Sequence, residues 1–155
     1  MNMAPEATRP PREAIKPLEW PVDFENLNQV EAFFADFPIV GARARCARKL
    51  RVELKARGPQ CEELWPDDND VWDVLGFLTR YVRDMYSVPN ACLIPDDPID
   101  IVLWDSYDGL ATVELIVEIE EEISVDLDDE FIEESCKSKL TLGEWIDRIG
   151  EIRNE

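Results

Sequence analysis

Few residues of this chain are equipped for covalent chemistry, and their types exclude more than they suggest. The sequence has no histidine. That removes Ser-His-Asp and Cys-His catalysis and every His-containing metal site. Four cysteines, Cys46, Cys61, Cys92 and Cys136, stand far apart with no C-x-x-C. They read as four reduced thiols, some packed as small hydrophobes. Carboxylates abound, but on a solvated acidic face they are not an acid and base paired in a pocket. No catalytic residue and no metal ligand set is expected, and the chain does not read as an enzyme. The hydroxyl that stands out is Ser106, in Asp105-Ser106-Tyr107-Asp108-Gly109, just ahead of a helical pattern. Asp-Ser and Asp-Gly are also ordinary turn and cap chemistry.

The elements around this stretch carry an uneven charge. Over 155 residues the net charge is −19. Residues 61–155 hold 6 Lys+Arg against 27 Asp+Glu, whereas residues 1–60 hold 10 against 8. So acidic a C-terminal part does not suit nucleic acid or an anionic membrane, because phosphate recognition rests on Lys and Arg. It suits a basic protein surface, with steering that weakens as salt rises. No segment reaches the ~18 uninterrupted apolar residues of a membrane span, and the N-terminus has no secretory apolar run. The expectation is a soluble, cytoplasmic monomer.

Residues 1–24 form a Pro-rich tail, with Pro5, Pro10, Pro11, Pro17 and Pro21 opposing helix and ladder alike. Leu18 and Trp20 could pin it to a neighbouring surface. Residues 25–64 read as a helical extension. Leu27, Val30, Phe33, Phe34 and Phe37 give a short amphipathic helix over 25–37, ended by Pro38. A second, basic helix covers 42–57. Ala47, Leu50 and Leu54 mark one face, and Arg43, Arg45, Arg48, Lys49, Arg51, Lys55 and Arg57 cover most of the rest. Gly58-Pro59 stops it.

Residues 65–155 read as one helical domain. The turn cluster Asp67-Asp68-Asn69-Asp70 precedes a helix of about 70–86, whose stripe is Val71, Val74, Leu75, Leu78, Val82 and Met85. A long loop carries Pro89, Pro95 and Pro98. An uninterrupted helical pattern runs from Leu110 to Ile123. Asp128-Asp129-Glu130 opens a short segment anchored by Phe131 and Ile132. Thr141-Leu142-Gly143-Glu144 fits a capping box, and Leu142, Trp145, Ile146, Ile149 and Ile152 then face inward. No alternating strand pattern of any length occurs. The fold class is all-α, a small bundle preceded by the tail and two short helices.

This order, together with the residues, resembles an acyl carrier protein over roughly 68–152. The matching pieces are Leu93-Ile94-Pro95-Asp96, Asp105-Ser106-Tyr107-Asp108, Thr112-Val113-Glu114-Leu115, Ile119-Glu120-Glu121-Glu122-Ile123 and Thr141-Leu142-Gly143-Glu144. The resemblance implies a four-helix bundle that tethers an acyl or peptidyl group through 4′-phosphopantetheine on a serine at the start of its second helix. The phosphodiester there meets free N–H groups and the positive end of the helix dipole. Counted back from Val113-Glu114-Leu115, the serine position falls on Gly109, which has no hydroxyl. Counted forward from Pro95-Asp96 and Ile99, it falls on Ser106, with Asp105 before it. An insertion of about one turn reconciles the two counts. The expectation is a module without the prosthetic group; the alternative is a working carrier loaded on Ser106.

The resemblance also implies a docking surface on the second helix, formed by Glu114, Glu118, Glu121 and Glu122 with Val113 and Val117 as apolar contacts. Its partner is the basic surface of another protein or the chain's own helix 42–57. In the second case Leu50, Leu54 and Phe33 or Phe34 must carry the docking. Exposed ion pairs supply only ~0.2–1 kcal/mol each.

Overall fold

A computed structural model describes residues 15–19, 28–34, 41–57, 59–102, 110–137 and 139–155. Helices α1 (Gln29–Phe34), α2 (Ala42–Ala56), α3 (Asn69–Tyr86), α4 (Leu110–Ile123), α5 (Asp129–Lys137) and α6 (Leu142–Arg153) follow in order, with 3-10 turns at Pro59–Leu64 and Ile99–Ile101. The all-α expectation holds among the described residues, where the one β contact is an isolated bridge between Pro98 and Thr141.

The helix of about 70–86 begins at Asn69, and its expected stripe is inward. Val71, Val74, Leu75, Leu78 and Val82 are buried, and Met85 packs half-buried against them. α3 is the central element, touching α2, α4 and α6. The interior is completed by Leu115, Ile116, Ile119 and Ile123 of α4, Phe131 of α5, and Leu142, Trp145, Ile146 and Ile149 of α6. Each fully buried aliphatic side chain contributes about 1.5–3 kcal/mol. The Trp145 ring lies 5.8 Å from that of Phe131. Its indole N–H donates to Ser135 Oγ at 2.8 Å, and that hydroxyl donates to the Phe131 carbonyl at 2.7 Å. The buried polar atoms of this aromatic pair are thereby satisfied.

Helix ends follow local chemistry. Thr141 and Glu144 make the expected capping box, each side chain bonding the other's backbone N–H. Asp128 accepts from the Phe131 N–H at 2.7 Å and opens α5. α3 and α4 end on Ser87 and Ser124, both with positive φ. The Val88 N–H then returns to the Arg83 carbonyl and the Val125 N–H to that of Glu120. This left-handed turn satisfies carbonyls that the helix itself leaves open.

α2 joins the same core. Leu50 and Leu54 are fully buried in the cluster that contains Val74 and Leu78, with Ala47 packed at its edge. Leu18 is 2% exposed within that cluster, so the Ile15–Glu19 segment is pinned to the bundle; Trp20 lies outside the described residues. Two expectations need correction. The first helix is described over Gln29–Phe34, with Asn28 outside it, and Val30 and Phe33, expected on its apolar face, are 66% and 72% exposed. Leu27, Phe37 and Pro38 lie outside the described residues. The second correction concerns the thiols. Cys61 and Cys92 are disulfide-bonded, with Cα atoms 5.9 Å apart. The 3-10 turn carries Cys61 onto the loop after α3, and the Trp65 indole N–H, 2.8 Å from the Leu93 carbonyl, joins the same two segments. Cys46 is buried and is not part of a disulfide.

Candidate docking surface

α4 is two-faced because of where its branched residues fall. Leu115, Ile116, Ile119 and Ile123 occupy one side and are buried. At about 100° per residue, Val113, Val117, Glu121, Glu114, Glu118 and Glu122 succeed one another around the other half of the circumference. All six are exposed, and Val113 and Val117 are the apolar members at 57% and 44%. Two valines one turn apart form an apolar strip along one edge of that arc, and carboxylates fill the rest of it.

The run Glu120-Glu121-Glu122 divides into three roles. Glu120 turns back and accepts from the Leu127 N–H at 2.7 Å, closing the turn after α4. Glu121 is exposed. Glu122 meets Arg80 of α3 at 3.2 Å, and the Arg80 guanidinium stands 5.9 Å over the Phe77 ring. A groove of about 460 Å³ runs here between α3 and α4, lined by Phe77, Arg80, Tyr81 and Asp84 on one side and Glu118, Glu121 and Glu122 on the other. Its chemistry is that of a surface for cations. A guanidinium already lies across it, held by carboxylate and ring.

The structure thus brings Val113, Glu114, Val117, Glu118, Glu121 and Glu122 onto one exposed face. Asp105, Ser106 and Gly109 lie outside the described residues. The described part of α4 runs from Leu110 to Ile123. Among the described residues no cluster of His, Cys, Asp or Glu could hold a metal ion. No described helix is long and apolar enough to cross a membrane.

A second polar centre was not foreseen. Asp97, 1% exposed, accepts from the Leu18 and Ile94 N–H groups at 2.9 and 2.8 Å. The Arg57 guanidinium meets the same carboxylate at 2.7 and 2.6 Å. It also donates to the Lys16 carbonyl at 2.9 Å and the Cys92 carbonyl at 3.1 Å. This arrangement ties the N-terminal segment, the end of α2 and the loop into one unit. In the sequence, Asp97 is one acid of a Pro-Asp-Asp-Pro turn, and nothing local marks it as buried. No family model, curated protein or solved structure matches the chain. The exposed face of α4 therefore rests on its own geometry.

Proposed function

We propose that this chain is an acyl-carrier-protein-like interaction module that docks a basic protein surface through α4 and carries no prosthetic group. The carrying observation is the exposed half of α4, where Val113 and Val117 stand beside Glu114, Glu118, Glu121 and Glu122. The order of α3, a long loop, α4, the short α5 and the capped α6 supports the family reading. For the missing group, the support is Gly109 immediately before Leu110, since glycine offers no oxygen for a phosphodiester. The second reading, a carrier loaded on Ser106, is favoured by Asp105 standing directly before that serine. A cytoplasmic location belongs to the proposal; the Cys61–Cys92 bond weighs against it, because disulfides are rare in that compartment.

Two measurements test the proposal. Intact mass after incubation with a phosphopantetheinyl transferase and coenzyme A should be unchanged. A gain of one phosphopantetheine, lost in Ser106→Ala, would establish the carrier instead. Titration of the 15N-labelled chain with a lysine- and valine-bearing amphipathic helical peptide should shift the amides of Val113, Glu114, Val117, Glu118 and Glu121. The Glu118→Lys/Glu121→Lys variant should lose those shifts. Shifts spread over every acidic surface would overturn the docking role of α4.

A further inference from the structure

The outward face of α2 is the counterpart of the outward face of α4. Burial of Cys46, Leu50 and Leu54 turns the opposite side of α2 to solvent. There Val52 is 67% exposed. Its neighbours on that side are Arg48 and Lys49 one turn before it, Lys55 one turn after it, and Arg45 two turns before it, all exposed. Lys49 lies 3.9 Å from Glu53 at the margin and stays 53% exposed. The result is a valine framed by cations, where α4 has a valine strip bordered along one side by carboxylates. Both faces are open to solvent on the same molecule, because α2 spends its apolar side on α3.

We propose that these two faces are halves of one contact, made between two copies of this chain, with α2 of one lying along α4 of the next. The proposal rests on the reading of α4 as a docking face and names a second copy as one of its occupants. Val52 would meet Val113 and Val117, while Arg45, Arg48 and Lys55 approach Glu114, Glu118 and Glu121. A few valines beside charged side chains make a small interface, so the contact is weak and transient. The net charge of −19 opposes it at long range. At physiological ionic strength, however, the screening length is about 8 Å, so distant charge is damped while the touching groups are not. Because the two faces differ, the contact is head-to-tail and does not close at a dimer unless the rotation forms a ring.

Sedimentation of the full chain tests this. The weight-average mass should rise with concentration above the 17.9 kDa of one chain and return to it at about 1 M salt, where screening reaches contact distance. Two variants separate the faces: Arg48→Glu/Lys49→Glu/Lys55→Glu on α2 and Glu114→Lys/Glu118→Lys/Glu121→Lys on α4. Each alone should weaken association at least ~10-fold, and mixing them should restore it. The α4 variant brings net charge closer to zero, so its loss of association would not come from general repulsion. Val52→Asp alone, checked for unchanged helicity, should act like the α2 variant. A chain that stays monomeric at millimolar concentration, or association that survives the α2 changes, overturns the proposal. The α2 variant should still give the peptide-induced shifts on α4. Failure of self-association with those shifts intact removes only the second copy as occupant, whereas absence of both removes the docking role of α4 as well.

Discussion

Arg57 and Asp97 meet as a parallel fork, Nη1 to Oδ2 at 2.7 Å and Nη2 to Oδ1 at 2.6 Å, with side chains only 5% and 2% exposed. Forty residues apart in sequence, they fix the end of α2 to the loop between α3 and α4. What Arg57 shows to solvent is main chain, since its side chain is enclosed. Desolvating two charges costs several kcal/mol, and here it is offset by bidentate geometry and by further bonds to Leu18, Ile94, Lys16 and Cys92.

Removing one partner should therefore cost more than the pair itself is worth. Arg57→Met leaves a buried carboxylate without its cation, and urea unfolding should report a loss of about 3–5 kcal/mol. Asp97→Asn keeps the shape but turns an amide N–H₂ toward donors, and should also destabilise. In both variants the Leu18 amide should lose hydrogen-exchange protection before the α3 and α6 amides do. Retained protection at Leu18 would show that the N-terminal segment is held by its apolar contacts alone.

The Cys61–Cys92 bond closes a loop across 31 positions that includes all of α3. Cross-linking a loop of that length restricts the unfolded chain by about 3.7 kcal/mol. Reductant, or Cys61→Ser/Cys92→Ser, should lower the urea midpoint accordingly, without abolishing the helices. Identical midpoints with and without reductant would mean that the two thiols are unbonded in solution.

Two helical glycines should respond in opposite directions to alanine. A Cβ at Gly76 in α3 would meet no heavy atom within 4 Å beyond its own helix. Gly76→Ala should stabilise by about 0.8–1 kcal/mol, the helix-propensity difference. At Gly143 the added Cβ would fall 3.1 Å from Pro95 Cβ and 3.2 Å from the Pro95 carbonyl oxygen. That carbonyl already accepts from the Gly143 N–H at 2.9 Å, and the Leu142 N–H holds the Asp97 carbonyl at 2.7 Å, so the loop has little room to retreat. Gly143→Ala should lower the melting temperature, whereas Gly76→Ala should raise it.

Local pattern was enough for the elements. The spacing of Val71, Val74, Leu75, Leu78 and Val82 fixes α3 and its inward side, and the Leu110–Ile123 pattern covers the described span of α4. Thr141 and Glu144 mark the start of α6 three residues apart, within reach of each other's backbone. The two-sided nature of α4 was legible for the same reason, since a helix repeats every 3.6 residues and its exposed half can be counted. Short-range rules say nothing about pairing between distant segments. Nothing near Asp97 shows that Arg57 will reach it, nothing near Cys61 points to Cys92, and the alternation of Arg and Leu in α2 does not say which helix receives Leu50 and Leu54. By itself the sequence determined where the long helices run, which side of each is apolar, and that α2 and α4 carry opposite charge. Only the tertiary structure decided that α2 spends its apolar side on α3, that one acid of a Pro-Asp-Asp-Pro turn becomes a buried anchor, and that two oppositely charged, valine-bearing faces are both left open. The physical reason is range: helix periodicity and capping act over a few residues, whereas burial, ion pairing and disulfide closure depend on which surfaces the packed chain brings together.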